Sequence, residues 1–163
     1  MIEKRYLEQV LSNEIIDEVA TINFSLTAYI VKACKLYGYF DSEIKLILLG
    51  TNLMDIGLQL DYNSSIDYNE HPIKGLMFLS SFDNVEIVKN IILMHHENCI
   101  GTGFPFGVKG NEIPEYVKIV TTCRDFLILQ NEKKLSYEEI IEHLCLFNDK
   151  MMVEKLSCFV FTE

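Results

Sequence analysis

The chain has 163 residues, the length of about one domain, and 49% of them are hydrophobic while 23% are charged. This composition is typical of a globular protein and excludes an extended disordered chain. The formal net charge of −10 argues against a protein that neutralises nucleic-acid phosphates, so no direct DNA binding is expected. No membrane-length apolar run and no signal peptide are evident, so a cytoplasmic protein is expected.

Helical periodicity dominates the chain, with apolar residues at steps of three and four. In chain order it predicts helices over about 14–37, 41–56, 67–81, 85–97, 113–131, 136–146 and 149–160. Asp41 is the expected cap of the second helix, which is apolar on nearly every side and should lie at the centre of the fold. Ser136 and Glu139 have the spacing of a capping box. Strand signals are nearly absent, so the prediction is a single all-α domain of about seven or eight helices over residues 1–163.

Three of the four histidines, His71, His95 and His96, fall within one short window. Consecutive helical side chains diverge by about 100°, so His95 and His96 can share a metal only where the helix is distorted or has ended. The alternative is partial burial with a favourable helix-dipole interaction. The fourth, His143, stands alone on a polar helical stretch and is expected to be exposed.

Asp55 is a candidate to bind a metal together with these histidines. It lies near the end of the most apolar helix, where a carboxylate costs several kcal/mol unless it is paired or metal-bound. One carboxylate and three imidazoles form a plausible ligand set for a divalent transition metal.

A glycine-rich loop follows the histidine pair. Residues 95–105 read HHENCIGTGFP, with Gly101, Gly103, Phe104 and Pro105 in its second half. This segment resembles the H-H-E-x-x-D-G-x-G-Y-P signature of the HD-GYP family. Upstream, residues 54–57 resemble the family's H-D-I-G segment and residues 71–75 resemble its H-P-x-x-G segment. The resemblance covers about residues 15–160.

The resemblance implies an all-α domain of the HD superfamily. Members of that family are phosphohydrolases that carry two or three metals, iron or manganese among them, and hydrolyse cyclic di-GMP. Asp55, His71, His95 and His96 would form one metal site, and all four are present. A third site, to which Glu18 would belong, is not expected.

The departures from the family pattern concentrate on the other metal site. Three of its four ligand positions hold residues that do not bind such a metal: Ile22, Met54 and Arg124. The family's phosphate-binding lysine is Leu58 here, and the loop aspartate is Ile100. Asp125 follows Arg124 but should point about 100° away from it on a helix.

Two interpretations of Arg124 stay open. In one, the chain keeps a single iron or manganese ion, and Arg124 replaces the charge of the lost metal and contacts Asp55. In the other, no metal binds and Arg124 and Asp55 form a buried ion pair. Arginine's planar fork suits a carboxylate or a phosphate, so Arg124 is also a candidate phosphate-binding residue.

The leading functional hypothesis is a degenerate HD-GYP-like domain in bacterial cyclic-dinucleotide signalling. It would act as a binding or interaction module, with cyclic di-GMP or a protein as partner and little or no phosphodiesterase activity. One alternative is an active metal-dependent cyclic di-GMP phosphodiesterase with a reduced metal site. Another is a scaffold that forms a homodimer through apolar surface such as residues 156–161, although burial within the monomer is favoured for that segment.

Overall fold

The computed structural model describes residues 24–59, 67–83, 85–133 and 135–161. Within these ranges the chain forms eight α-helices, one short 3₁₀ helix and no strand, which confirms the predicted all-α fold. In chain order the α-helices are α1 (Phe24–Leu36), α2 (Asp41–Leu53), α3 (Ile56–Gln59), α4 (His71–Phe78), α5 (Glu86–Met94), α6 (Glu115–Glu132), α7 (Tyr137–Phe147) and α8 (Lys150–Phe159). The 3₁₀ helix, Tyr68–Glu70, leads directly into α4.

The second helix has the central position that its composition predicts. It packs against α1, α5 and α6. Its inward residues Ile47 and Leu49 are buried and belong to two different apolar clusters. The larger cluster joins α1, α2, α6, α7 and α8, and the smaller one lies between α2 and α5. The four-residue helix α3 and helix α4 also border this smaller cluster.

The second helix ends earlier than the periodicity predicts. It stops at Leu53, residues 54 and 55 form a turn, and α3 begins at Ile56. A Cβ atom on Gly57 would overlap the carbonyl oxygen of His71. Because Gly57 has no side chain, α3 can lie directly against the beginning of α4. The broken helix thereby brings Asp55 beside His71.

Two capping predictions have different outcomes. At the start of α7, Ser136 and Glu139 form the predicted capping box, in which the Glu139 carboxylate accepts from the Ser136 backbone N–H at 2.8 Å. At the start of α2 the N-cap is Phe40 rather than Asp41. The Glu43 carboxylate accepts from the Phe40 N–H at 2.9 Å, whereas the Phe40 side chain makes no cap hydrogen bond of its own.

The C-terminal apolar run contributes mainly to the core. Leu156, Val160 and Phe161 are buried, whereas Phe159 is exposed. The ring of Phe161 stacks on that of Phe126 with centroids 4.0 Å apart. Burial within the monomer, the favoured interpretation of this segment, is thus confirmed for these three residues. None of the described helices has the length and apolar character that a bilayer-spanning segment requires.

Candidate metal centre

The predicted ligand residues come from three places in the fold. Asp55 lies in the turn between α2 and α3, His71 is the first residue of α4, and His95 and His96 follow α5. One ligand atom from each of these four residues lies within 4.8 Å of the others. The predicted convergence is confirmed as geometry.

Helix α5 ends at Met94, three residues before the predicted boundary. His95 is its C-cap, and His96 lies beyond the regular helix. The constraint that separates consecutive helical side chains by about 100° therefore no longer holds for this pair. Both rings can face the same site.

Three ligand atoms form the tightest part of the cluster. The Nε2 atoms of His71 and His95 are 3.1 Å apart, and they lie 3.3 and 3.4 Å from the Asp55 Oδ1 atom. The Nδ1–H of His71 donates to the carbonyl oxygen of Tyr68 at 2.6 Å, and the Nδ1–H of His95 donates to that of Ile92 at 2.8 Å. A carbonyl only accepts, so in each neutral ring the Nε2 atom carries the lone pair.

With both rings neutral, these three atoms are acceptors that face one another, and a cation between them would satisfy all three. Two ligand atoms bound about 2.0–2.2 Å from one ion at tetrahedral or octahedral angles lie about 2.8–3.6 Å apart. The observed separations of 3.1–3.4 Å fall within that range. Carbonyl groups that accept from the outer ring nitrogens are also the usual support of metal-binding histidines. The donor set fits a divalent transition metal.

Burial favours the neutral, metal-binding form of two of the histidines, His71 and His96. Burial lowers the pKa of His96 to about 3, and the charges of His95 and Arg124 act in the same direction. Burial also lowers the pKa of His71. When the His95 ring carries a proton on Nε2, it donates a hydrogen bond to Asp55, and this bond is the main influence that lowers the pKa of Asp55 below its ordinary value. Burial of Asp55 opposes this shift. Neutral imidazoles and an ionised carboxylate are the binding forms of these ligands.

The ring of His96 is held by two aromatic residues. Phe104 stacks on it, with centroids 4.2 Å apart and an interplanar angle of 19°. The Tyr68 Oη atom lies 3.3 Å from the His96 Nε2 atom. Sequence reasoning did not single out Tyr68. The signal that marks it is its position one helical turn before His71.

The predicted loop residues shape the approach to the site. Gly101 has a φ of +80°, which L side chains rarely adopt. A Cβ atom on Gly103 would overlap the carbonyl oxygen of His96. Phe104 and Pro105, joined by a cis peptide bond, follow this close approach. The glycines thus let the loop fold back so that Phe104 reaches the His96 ring.

Glu97 anchors the same loop, a role that sequence reasoning missed. Its side chain is buried. Its carboxylate accepts three backbone N–H groups at 2.8–3.1 Å, those of Phe106, Gly107 and Val108. Glu97 is adjacent to the histidine pair, so these bonds tie the loop to the end of α5.

Replacing Glu97 with glutamine is expected to destabilise the protein by about 1.5–3 kcal/mol, the usual contribution of hydrogen bonds to a charged group. The amide keeps the size of the side chain but loses its charge and one acceptor. Glu112→Gln is the matched control, because the exposed Glu112 carboxylate accepts a single N–H from the same loop, that of Lys109 at 3.0 Å. Urea denaturation should show a change below about 0.5 kcal/mol for this control. Equal losses for both variants would contradict the anchoring role.

The predicted contact between Arg124 and Asp55 is wrong. The Arg124 Nη1 atom instead lies 3.6 Å from the Asp125 Oδ1 atom, and within the described ranges no ion pair joins Arg124 to Asp55. The Asp55 Oδ1 atom instead faces the two histidine rings. The Arg124 side chain is 19% exposed and that of Asp125 is 36% exposed, so their ion pair is partly screened by solvent. The charge of Arg124 still helps to lower the pKa of Asp55.

Two of the altered family positions line one cavity. Met54 and Arg124 border a cavity of about 290 Å³, together with Ser25, Leu26, Leu127, Ile128 and Asn131. Asp125 accepts from the Asn148 amide at 3.3 Å and faces a different, smaller cavity, as its helical position predicts. His143, expected to be exposed, is partly buried and borders that smaller cavity. Glu18 and Ile22 lie outside the described residues.

Comparisons with known proteins agree with this architecture. The family model described as HD domain matches residues 52–144, a range that contains all four clustered ligand residues. Among solved structures, the chain is similar to Bd1817, an HDG"Y"P protein from Bdellovibrio bacteriovorus, with a TM-score of 0.66 and 20% identity. The similarity covers 96% of this chain and 57% of that one, so the chain spans little more than half of that relative's length. A search of curated proteins found no significant match.

Proposed function

This chain belongs to the HD domain family, and we propose that it is an HD-GYP-like binding or interaction module of bacterial cyclic-dinucleotide signalling. It holds one divalent metal, iron or manganese, and has little or no phosphodiesterase activity. The observation that carries the proposal is the cluster of three acceptor atoms, from His71, His95 and Asp55, at mutual distances of 3.1–3.4 Å. Such a cluster is satisfied by a shared cation.

The chain's own residues prepare this site. His71, His95, His96 and Asp55 would hold the metal. The carbonyl groups of Tyr68 and Ile92 orient two of the rings, and burial of His71 and His95 keeps water from competing for them. When bound, the metal supplies Lewis acidity toward a phosphoryl oxygen.

The position and charge of Arg124 indicate that the module binds an anionic ligand. It borders the 290 Å³ cavity beside Met54, and its guanidinium presents hydrogen-bond donors in a fork that matches a phosphate. With a net charge of −10 over the chain, a local cation is required to attract such a ligand. The family resemblance and the fold make cyclic di-GMP the first ligand to test.

The test is elemental analysis of protein that has been loaded with manganese(II) or iron(II) and desalted. We expect about one ion per chain in the wild type, because the described part of the chain contains one such ligand set. His71→Ala and His95→Ala should lose most of this metal. His143→Ala, a histidine away from the cluster, is the matched control and should retain it.

Calorimetric titration of the loaded protein with cyclic di-GMP then tests the binding role. Binding that weakens in Arg124→Ala supports a phosphate contact in the cavity. Metal retained in His71→Ala, or no metal in the wild type, contradicts the proposed centre. No heat of binding in the loaded wild type contradicts the nucleotide-binding role but not the metal.

An active phosphodiesterase with a reduced metal site is the second candidate. It draws support from Arg124, whose charge reaches both Asp55 and His96 and lowers their pKa values. A fixed guanidinium is able to take over part of the charge stabilisation that a second metal supplies. Turnover of cyclic di-GMP separates the two candidates.

A further inference from the structure

Tyr68 stands next to the metal centre in a way that the ligand set of the family pattern does not explain. Its Oη atom lies 3.3 Å from the His96 Nε2 atom. The same residue accepts the Nδ1–H of His71 through its backbone carbonyl at 2.6 Å. Tyr68 therefore touches two of the four clustered residues through two different groups.

The surroundings of Tyr68 hold its ring in this position. Its centroid lies 5.0 Å from that of His71, 5.5 Å from that of His96 and 5.9 Å from that of Phe104. It begins the 3₁₀ helix that runs into α4, and the Asp67 side chain caps this helix by accepting from the Asn69 N–H. Tyr68 is 51% exposed, so it lies between the clustered residues and solvent.

The distance between the hydroxyl and His96 suits a shared ion. Two ligand atoms about 2.0–2.2 Å from one metal lie about 2.8–3.6 Å apart, and the 3.3 Å separation falls within this range. It also matches the separations among His71, His95 and Asp55. A hydroxyl that only donated to the His96 Nε2 atom would occupy the lone pair of that nitrogen, through which His96 would bind the metal in this proposal. Ligation by both atoms removes this competition.

We propose that the phenolic oxygen of Tyr68 is a further ligand of the metal centre, and that it binds as phenolate when the iron of this centre is in its oxidised, ferric form, which serves here as the spectroscopic probe. This inference rests on the proposed metal site. On ligation the Oη–H bond breaks, the proton leaves to solvent water, and the oxygen lone pair forms the bond to iron. No electron is transferred, because the iron is supplied in its ferric state. Three imidazole nitrogens, one carboxylate and one phenolate then surround the ion.

The test uses ferric iron supplied as its citrate complex, followed by desalting, elemental analysis and visible spectroscopy. A phenolate bound to ferric iron gives a visible charge-transfer band, which imidazole and carboxylate ligands do not give. The wild type should develop this band in proportion to its bound iron. Tyr68→Phe should lose the band and still retain iron through His71, His95, His96 and Asp55.

Tyr137→Phe is the matched control. Tyr137 is also an exposed tyrosine, but its hydroxyl donates to the Ser157 carbonyl at the other end of the fold, and its variant should keep the band. Resonance Raman excitation within the band should show tyrosinate ring modes in the wild type.

The possible outcomes separate this inference from the metal site itself. Iron bound to the wild type without the band would overturn the Tyr68 ligand and leave the metal centre standing. A band that survives in Tyr68→Phe would also overturn it. A wild type that binds no iron would overturn both.

Discussion

Metal-loaded protein is expected to hydrolyse cyclic di-GMP at no more than a trace rate, far below the ~1 s⁻¹ of an ordinary enzyme. In the family pattern, metals on both sides of the shared aspartate hold the reacting phosphate. Here Met54 and Arg124 stand at two ligand positions of one metal and line a common cavity. The family resemblance implies that this metal has lost ligands, while the set around Asp55 is complete.

The expected loss of rate is large. A catalytic metal contributes several kcal/mol of charge stabilisation, and each 1.36 kcal/mol is tenfold in rate, so a loss of about 4 kcal/mol lowers the rate about a thousandfold. Leu58 and Ile100, at the positions of the family's lysine and loop aspartate, are both partly exposed apolar side chains. Neither can bind phosphate, so the loss should be greater still.

A variant that restores the missing metal ligands tests this prediction directly. Ile22→His, Met54→His and Arg124→Asp together rebuild the missing ligand types, and the metal content should rise from about one ion to about two per chain. Linear product, measured by chromatography, should increase in the restored variant with manganese or iron. Turnover at ~1 s⁻¹ or faster in the unaltered protein would instead favour the second candidate, in which Arg124 performs the work of a metal.

The convergence of Asp55 with the three histidines could be predicted from the sequence because it depends on a motif spread over the whole domain. The motif indicates which residues lie close together, but it does not indicate where the helices that connect them begin and end. The break of the second helix after Leu53 is accompanied by the close approach of Gly57 to the His71 carbonyl. That approach is between two backbone segments, so the spacing of apolar residues in the sequence does not indicate it.

The partner of Arg124 shows a second limit. Sequence reasoning paired it with Asp55 because both residues were expected to be buried and needed compensation. In the fold Asp55 faces two histidine rings, and Arg124 reaches its neighbour Asp125. Tyr68 and Glu97 were missed for a related reason, since their partners are a ring nitrogen and loop N–H groups that meet only after folding.

Saturation with manganese is expected to raise the melting temperature of the wild type by about 8–16 °C. An ion at about a thousand times its dissociation constant stabilises the folded state by about 4 kcal/mol, and each kcal/mol corresponds to about 2–4 °C for a domain of this size. The effect requires that the unfolded chain bind poorly. Asp55, His71 and His95 come from separate elements, so they converge only in the folded state.

Differential scanning calorimetry with and without manganese measures this shift. His95→Ala should abolish it, since one of the three closely spaced ligand atoms is lost. His143→Ala should keep the full shift. A shift of similar size in both variants would mean that manganese binds elsewhere on the acidic surface.

Asp55→Asn distinguishes a metal site from a merely structural cluster. For a metal site, this variant should stabilise the metal-free protein but reduce the stabilisation that manganese provides. In the metal-free protein the Asp55 Oδ1 atom adds a third acceptor to two facing Nε2 atoms. An amide in its place donates a hydrogen bond, and we expect it to stabilise the metal-free protein by about 1 kcal/mol. The same change removes the anionic ligand and should eliminate most of the stabilisation by manganese. If Asp55 instead serves the fold as the counter-ion of a protonated histidine, Asp55→Asn will destabilise the metal-free protein, and manganese will not change the outcome.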